Sequence, residues 1–253
     1  MSQVLRRRIA RPFRDAARKA MARGAWAEAL ANFKRVEAIN PQNRSVLLPI
    51  ANMHAELGQY GEAEATFYDA AQIPEYRLDA RIGMARVAVR KAEWPESLSR
   101  WNSVLEAMGE DEAVDPNVRS TWSMSPAEVL LQCALARELI ADAAGAERDL
   151  VLAMALEPSI RRSAAASLMR GRLLAKDDVR AAYRVLLNAH RRYPQDFSIL
   201  YELTSAAVVA GERGEAERFA RALVDLQPDN PSTLALLRER GIVIANTLQN
   251  GGG

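Results

Sequence analysis

A chain of 253 residues, 49% of them apolar and 26% charged, can bury a continuous core and is too apolar to be a disordered tail. Only 6% are aromatic, and alanine, leucine, arginine and glutamate dominate, a composition that forms helices and leaves little for sheets. One cysteine and two histidines exclude an intrachain disulfide and a cysteine–histidine zinc cluster, and no run of about 18 apolar residues is present to span a membrane.

From the N-terminus, residues 1–24 carry Arg6, Arg7, Arg8, Arg11, Arg14, Arg18, Lys19 and Arg23 against Asp15 alone, so a formal charge of +2 conceals a positive end and a slightly acidic remainder. Lysine occurs only at 19, 34, 91 and 176, and arginine supplies the other basic positions, as coding bias in a GC-rich bacterial genome would give. Residues 1–9 read as a basic extension. The arginines are not followed by the apolar core of a signal peptide, so a reducing, cytoplasmic setting is expected.

Beyond the extension a period takes over. Gly24, Trp26, Glu28, Ala29 and Phe33 recur 34 residues later as Gly58, Tyr60, Glu62, Ala63 and Phe67, and again as Ala92, Trp94, Glu96, Ser97 and Trp101. The second half keeps the rhythm, with Ala146, Ala182 and Ala216 in the small-residue place and Pro158, Pro194 and Pro228 closing units as Pro41 closes the first. Each mark has a physical reason: a small residue lets two helices meet, glycine turns the chain with a positive φ, and proline cannot continue a helix. Units fall near 10–43, 44–77, 78–111, 127–160, 163–196 and 197–230, so the repeat blocks are 10–111 and 127–230.

Two stretches break the period. Residues 109–126 add an inserted loop, bounded as 112–126, with acids at Glu110, Asp111 and Glu112 and a tryptophan at Trp122. It ends in a helix start: Ser125 as N-cap, Pro126 at the first helical position and Glu128 completing a capping box. At the other break, Asn230-Pro231 opens a capping helix over 231–241, stopped by Gly241 and followed by a tail, 242–253, of an apolar piece and glycines.

At these residues the chain resembles the tetratricopeptide repeat family, whose unit is a pair of antiparallel helices in about 34 residues. The resemblance covers about four-fifths of the chain. It implies an all-α fold, a right-handed α-solenoid of antiparallel helical hairpins, and a concave surface lined by the first helix of each hairpin.

Catalytic motifs are lacking. There is no phosphate-cradling glycine loop and no HExxH helix, His54 and His190 read as packing or surface positions, and Cys133 sits in an apolar run as a small hydrophobe. The expectation is a non-enzyme with no cofactor and no metal. The family geometry then implies partner-binding residues in the groove: Arg11, Arg14 and Arg18 from the first unit, Asn52 and Glu56 from the second, Arg86 and Arg90 from the third. Leu131, Leu135 and Glu138 follow from the fourth, and Tyr201, Glu202 and Ser205 from the sixth. Trp122 is a further candidate anchor. One known use of the fold, a clamp for a chaperone's C-terminal carboxylate, is not expected, because Pro49, Asp79 and Gly83 stand where asparagine and basic residues belong.

Function is read as a cytoplasmic adaptor or scaffold that docks a protein or peptide partner, one of acidic character suiting the basic half. The N-terminal arginines are open to three readings: a solvated helix face, attraction to an acidic segment or anionic lipid, and nucleic acid, which ranks last because Phe13 alone is there to stack. A second functional reading is an accessory module of bacterial surface-polysaccharide synthesis that positions a glycosyltransferase, since Trp94 and Trp101 are spaced as in such repeat arrays. Self-association through the tail or an open end is a third.

Overall fold

The computed structural model describes residues 2–114 and 122–242. Among these residues there are α-helices and short 3-10 turns and no strand. The chain divides into two compact units, Met1–Ala141 and Asp142–Gly253. The first holds α1 (Gln3–Ala22), α2 (Trp26–Ile39), α3 (Leu47–Glu56), α4 (Tyr60–Ala71), α5 (Arg77–Arg90), α6 (Trp94–Val114) and α7 (Pro126–Leu139). The second holds α8 (Ala143–Leu156), α9 (Ala164–Leu174), α10 (Val179–Arg192), α11 (Phe197–Val209), α12 (Arg213–Leu226) and α13 (Pro231–Arg240).

Within the first unit α1 with α2, α3 with α4 and α5 with α6 form antiparallel hairpins, each packed on the next, and α7 lies against α6. Within the second, α9 with α10 and α11 with α12 do the same, α8 packs on α9, and α13 covers the end of α11 and α12. The small residues read from the period sit where the helices meet: Ala29, Ala63, Ser97, Ala146, Ala182 and Ala216 are each at most 1% exposed. Around them the cores are aromatic and aliphatic, with Phe67, Trp101 and Met108 in the first unit and Leu186, Leu203 and Phe219 in the second.

Short turns join the two helices of a hairpin. Gly24, Gly58 and Gly211 take φ of 70°, 73° and 86° there, the left-handed region that only glycine enters at little cost. Ala92 and Ala141 fill the same place at 57° and 65°, with the strain a Cβ brings. The link from α9 to α10 has neither solution. Its turn, 175–178, is one residue longer than the others and contains no positive φ, and Asp178 caps α10 by accepting the Ala181 N–H at 2.9 Å.

Three features depart from the boundaries read in the sequence. Residues 3–9 are not a separate extension but the first two turns of α1, which is 20 residues long, starts on the Ser2 cap and runs through Pro12. α6 continues to Val114, beyond the expected start of the inserted loop, because Gly109 is solvent-exposed and nothing there ends the helix. The last four residues before α7 are fastened down: Trp122 packs on a core that includes Ile82, Trp101, Val129 and Cys133, and Ser123 Oγ donates to Asp79 at 2.6 Å. The Ser125 capping box forms, with Glu128 N–H donating to Ser125 Oγ at 3.2 Å and Ser125 N–H to Glu128 at 2.7 Å. Residues 115–121 of the inserted loop and 243–253 of the tail lie outside the described residues.

Two glycines inside helices do what the turn glycines do not. A Cβ at Gly83 on α5 would lie 2.2 Å from the Phe67 ring of α4, and one at Gly171 on α9 would lie 2.5 Å from Leu186 of α10. Ring and branched side chain therefore rest on bare backbone. Gly83→Ala is expected to lower stability by about 1–3 kcal/mol, the cost of overpacking, measured by urea unfolding followed by circular dichroism. An unchanged midpoint would mean that α4 and α5 can slide apart freely.

Ser97 occupies the alanine place of the third hairpin, fully buried, and its hydroxyl has no hydrogen-bond partner. Ser97→Ala removes that desolvated group without leaving a cavity. The same unfolding measurement is expected to show a gain of about 1 kcal/mol.

Candidate functional site

Positions three and four apart share a helix face, so Arg11, Arg14 and Arg18 line one side of α1, Asn52 and Glu56 one side of α3, and Arg86 and Arg90 one side of α5. All but Arg14, which is half-buried, are exposed. α3 and α5, the first helices of successive hairpins, lie side by side, and Arg90 Nη2 crosses between them to Glu56 at 2.5 Å. Arg86 donates to the sulfur of Met124 at 3.4 Å, so the segment ahead of α7 borders the same face. Arg11 approaches Asp15 to 3.8 Å.

The sum of these contacts is a polar face with surplus positive charge. Glu56 neutralises Arg90 and Asp15 lies beside Arg11, while among the described residues no carboxylate lies within ion-pair distance of Arg14, Arg18 or Arg86. Partly exposed pairs of this kind contribute about 0–1 kcal/mol to stability, so the face is free to serve something other than folding. On the opposite side the charges are structural: Arg100 on α6 reaches Glu64 on α4 at 2.9 Å, the Met84 carbonyl on α5 at 3.0 Å and Glu96 at 2.6 Å.

α7 contributes differently from its neighbours. Leu131 is buried in the structure, and Leu135 and Glu138 are half-buried. Periodicity identifies an apolar helix face but not what covers it, and Leu131 belongs to the packed interior. Trp122 is likewise held among core residues on one side, and its buried indole N–H has no hydrogen-bond partner among the described residues. Cys133, beside them, is 1% exposed, its thiol 3.7 Å from Asn102 Oδ1.

The second unit has its own first-helix face. Arg172 on α9 donates to Glu202 on α11 at 2.8 Å, and Arg240 on α13 donates to Ser205 at 3.1 Å. Tyr201, next in line, is half-buried against Phe197, with ring centroids 6.2 Å apart. Arg172 and Arg240 are absent from the residues read off the sequence. A signal for them exists, since a polar partner about one repeat away is what joins Glu56 to Arg90, Arg172 to Glu202 and Ser205 to Arg240.

Away from that face, α10 and α12 enclose an open cleft of about 580 Å3 lined by Tyr183, Leu187, His190, Arg191, Pro194, Glu215 and Arg218. His190 stands edge-on to Phe219, with centroids 5.4 Å apart. Burial, and secondarily the Arg218 guanidinium, hold its imidazole below the ordinary histidine value. Glu215, also facing the cleft, is bound to Arg218 at 2.6 Å. His54, by contrast, is buried in α3 with Nδ1 2.6 Å from Gln59 Oε1.

The sequence profile of the tetratricopeptide repeat family matches residues 20–73, a stretch spanning the α1–α2 turn to the end of α4, and the hairpins, small-residue contacts and turn glycines continue beyond it through both units. Residues 20–73 match a tetratricopeptide repeat, and the helical hairpins beyond them share its fold. Solved repeat proteins are similar in fold. PilW, a widely conserved type IV pilus biogenesis factor, aligns at 16% identity over 94% of this chain and 100% of its own, with a TM-score of 0.68. A tetratricopeptide repeat protein from Parabacteroides merdae aligns at 13% identity over 91% of this chain and 85% of its own, with a TM-score of 0.67. YrrB, a repeat protein with an unusual peptide-binding site, aligns at 16% identity over 81% of this chain and 97% of its own, with a TM-score of 0.52. No curated protein matches the sequence as a relative.

The histidine of the cleft gives a pH test of the second unit's packing. With its folded pKa lowered, His190 is protonated more readily in the unfolded chain, so its contribution is fully present above the ordinary value of 6.5 and is lost as pH falls below it. Urea midpoints are expected to drop between about pH 7 and pH 5, and His190→Asn is expected to flatten that slope. An equal slope in the variant would place the titration elsewhere.

Proposed function

We propose that the protein is a non-catalytic, cytoplasmic adaptor that docks a protein or peptide partner of acidic character on the first-helix face of its repeats. The observation that carries this reading is the composition of that face in the first unit. Asn52, Arg18 and Arg86 project from three successive first helices, exposed and with little structural duty. Arginine and asparagine so placed recognise carboxylates and extended backbone through directional hydrogen bonds. In the second unit Arg172, Glu202, Ser205 and Arg240 offer donors and acceptors in alternation, a pattern suited to a neutral or mixed segment. YrrB, similar in fold, has a peptide-binding site. Fold alone does not name the partner.

The reading as a glycosyltransferase accessory of bacterial surface-polysaccharide synthesis started from Trp94 and Trp101. Trp101 is 1% exposed and belongs to the core beneath α5, and Trp94 is half-buried at the start of α6. Both have packing roles, so the spacing that motivated that reading has a structural cause. Self-association is independent of the groove and is read directly by light scattering at two concentrations.

The test is capture of partners by the intact chain beside a variant carrying Arg14→Glu, Arg18→Glu, Arg86→Glu and Arg90→Glu, with mass-spectrometric identification and titration of the purified partner. The variant is expected to stay helical by circular dichroism and to bind at least about tenfold more weakly, since loss of charge-assisted hydrogen bonds costs about 1.5–3 kcal/mol each. Glu56→Gln, which unmasks Arg90, is expected to bind an acidic partner more tightly. Equal binding by all three proteins would remove the first-unit face from consideration, and a glycosyltransferase as partner would restore the accessory reading.

A further inference from the structure

α1 is longer than its hairpin requires. It runs 20 residues, whereas α2 runs 14 and ends at Ile39. Counting back antiparallel from the turn at 23–25, Ile39 comes opposite residue 9, so the first two turns of α1 extend about 10 Å past the end of α2. Ala10 is the first buried residue of α1.

That overhang carries an uncommon surface. At about 100° per residue, Val4, Leu5, Arg8, Ile9 and Pro12 fall on one arc of the helix, all of them solvent-exposed. Val4 is 78% exposed, Leu5 46% and Ile9 42%. Arg7 and Arg11 border the arc on one side and Arg6 on the other, and no acid occurs before Asp15. The aliphatic part of this face takes no part in the core that α1 forms with α2 and α3: that core begins at Ala10 and contains neither Val4, Leu5 nor Ile9.

We propose that the first two turns of α1 dock on an anionic lipid surface, with Val4, Leu5 and Ile9 entering the headgroup–acyl boundary and Arg6, Arg7, Arg8 and Arg11 holding lipid phosphates. The charge decides the class of partner: of the five arginines from 6 to 14 only Arg11 has a carboxylate beside it, Asp15, and the surplus selects an anionic surface. The aliphatic residues decide between anionic surfaces. A nucleic acid is held through its phosphates and by stacking aromatics, and three exposed aliphatic side chains add nothing to it. At a membrane interface those side chains leave water while the long arginine stems lie along the boundary with their heads at the phosphates. This contact shares Arg11 with the peptide face and otherwise uses residues N-terminal to it, whereas the peptide face continues over α3 and α5.

The experiment is co-sedimentation of the full chain with vesicles of phosphatidylcholine containing about 30 mol % phosphatidylglycerol, and with phosphatidylcholine alone, at about 0.05 and 0.5 M NaCl. The chain is expected to bind the acidic vesicles at low salt, to be released at high salt and to leave the neutral vesicles unbound. Leu5→Asn with Ile9→Asn, and separately Arg7→Gln with Arg8→Gln, are expected to weaken binding at least about fivefold while circular dichroism is unchanged. Arg86→Glu is the control for the peptide face and is expected to bind vesicles as the natural chain does. Undiminished binding by either α1 variant, equal binding to neutral vesicles, or loss of binding in Arg86→Glu alone would overturn the proposal. So would tight binding of a single-stranded oligonucleotide that Leu5→Asn with Ile9→Asn leaves unaffected.

Discussion

Two helices can lie against each other at close range only where one of them presents almost no side chain, and in the hairpins described within each unit that place is filled by the same kind of residue. Ala29, Ala63, Ala182 and Ala216 hold it with a methyl group, and Ser97 with a hydroxymethyl. Between hairpins the same demand is met from the other direction, where Gly83 accepts the ring of Phe67 and Gly171, inside its own hairpin, accepts Leu186. Interiors pack to crystal-like density, so each of these contacts fixes how far apart its two helices sit. The rotation of each first helix follows, and with it which residues are turned outward. Asn52, Arg86 and Arg90 face solvent because Ala51, Ala85 and Ala88 face the interior.

This ordering explains which parts of the structure were legible. The period was legible because it is written in residues with a backbone consequence: Gly24, Gly58 and Gly211 at positive φ, Ser125 and Glu128 at a cap. Local chemistry reports itself in a sequence. Gly83 and Gly171 were not legible, because a glycine within a helix takes its meaning from a side chain on another helix, and no pattern along the chain shows that Phe67 and Leu186 need the space. The start of α1 was missed for a related reason. A run of arginines looks like a tail, yet arginine forms helix well, and with Ser2 available as a cap nothing prevents the first turns from winding.

The candidate face shows the same division. Helical spacing was enough to group Asn52 with Glu56 and Arg86 with Arg90, since each pair is four residues apart on a helix whose existence the period guarantees. It was not enough to tell Leu131 from Leu135, which differ in what covers them rather than in where they sit on α7. Nor did it reveal that polar side chains on these faces pair with each other across helices. Arg172 finds Glu202 and Ser205 finds Arg240 because the stacking of hairpins brings residues about one repeat apart together. That information belongs to the packing, one level above the helix.

Among the described residues α1 differs from the first helices that follow it in packing chiefly on a single neighbour. α3 and α5 are flanked before and after, so their outward residues have a single exposed face, whereas α1 packs chiefly on α2 and its free surface wraps further round. Solenoids commonly close such an end with a polar face. Here the polar part is supplied by arginine without matching acids, and aliphatic residues remain among them at Val4, Leu5 and Ile9. Arginine's weakly hydrated guanidinium on a long apolar stem tolerates such neighbours where lysine's ammonium holds its water more tightly. Positive charge on such a face opposes contact between two copies, and the exposed aliphatic residues beside it leave apolar area that an anionic surface could cover without that repulsion.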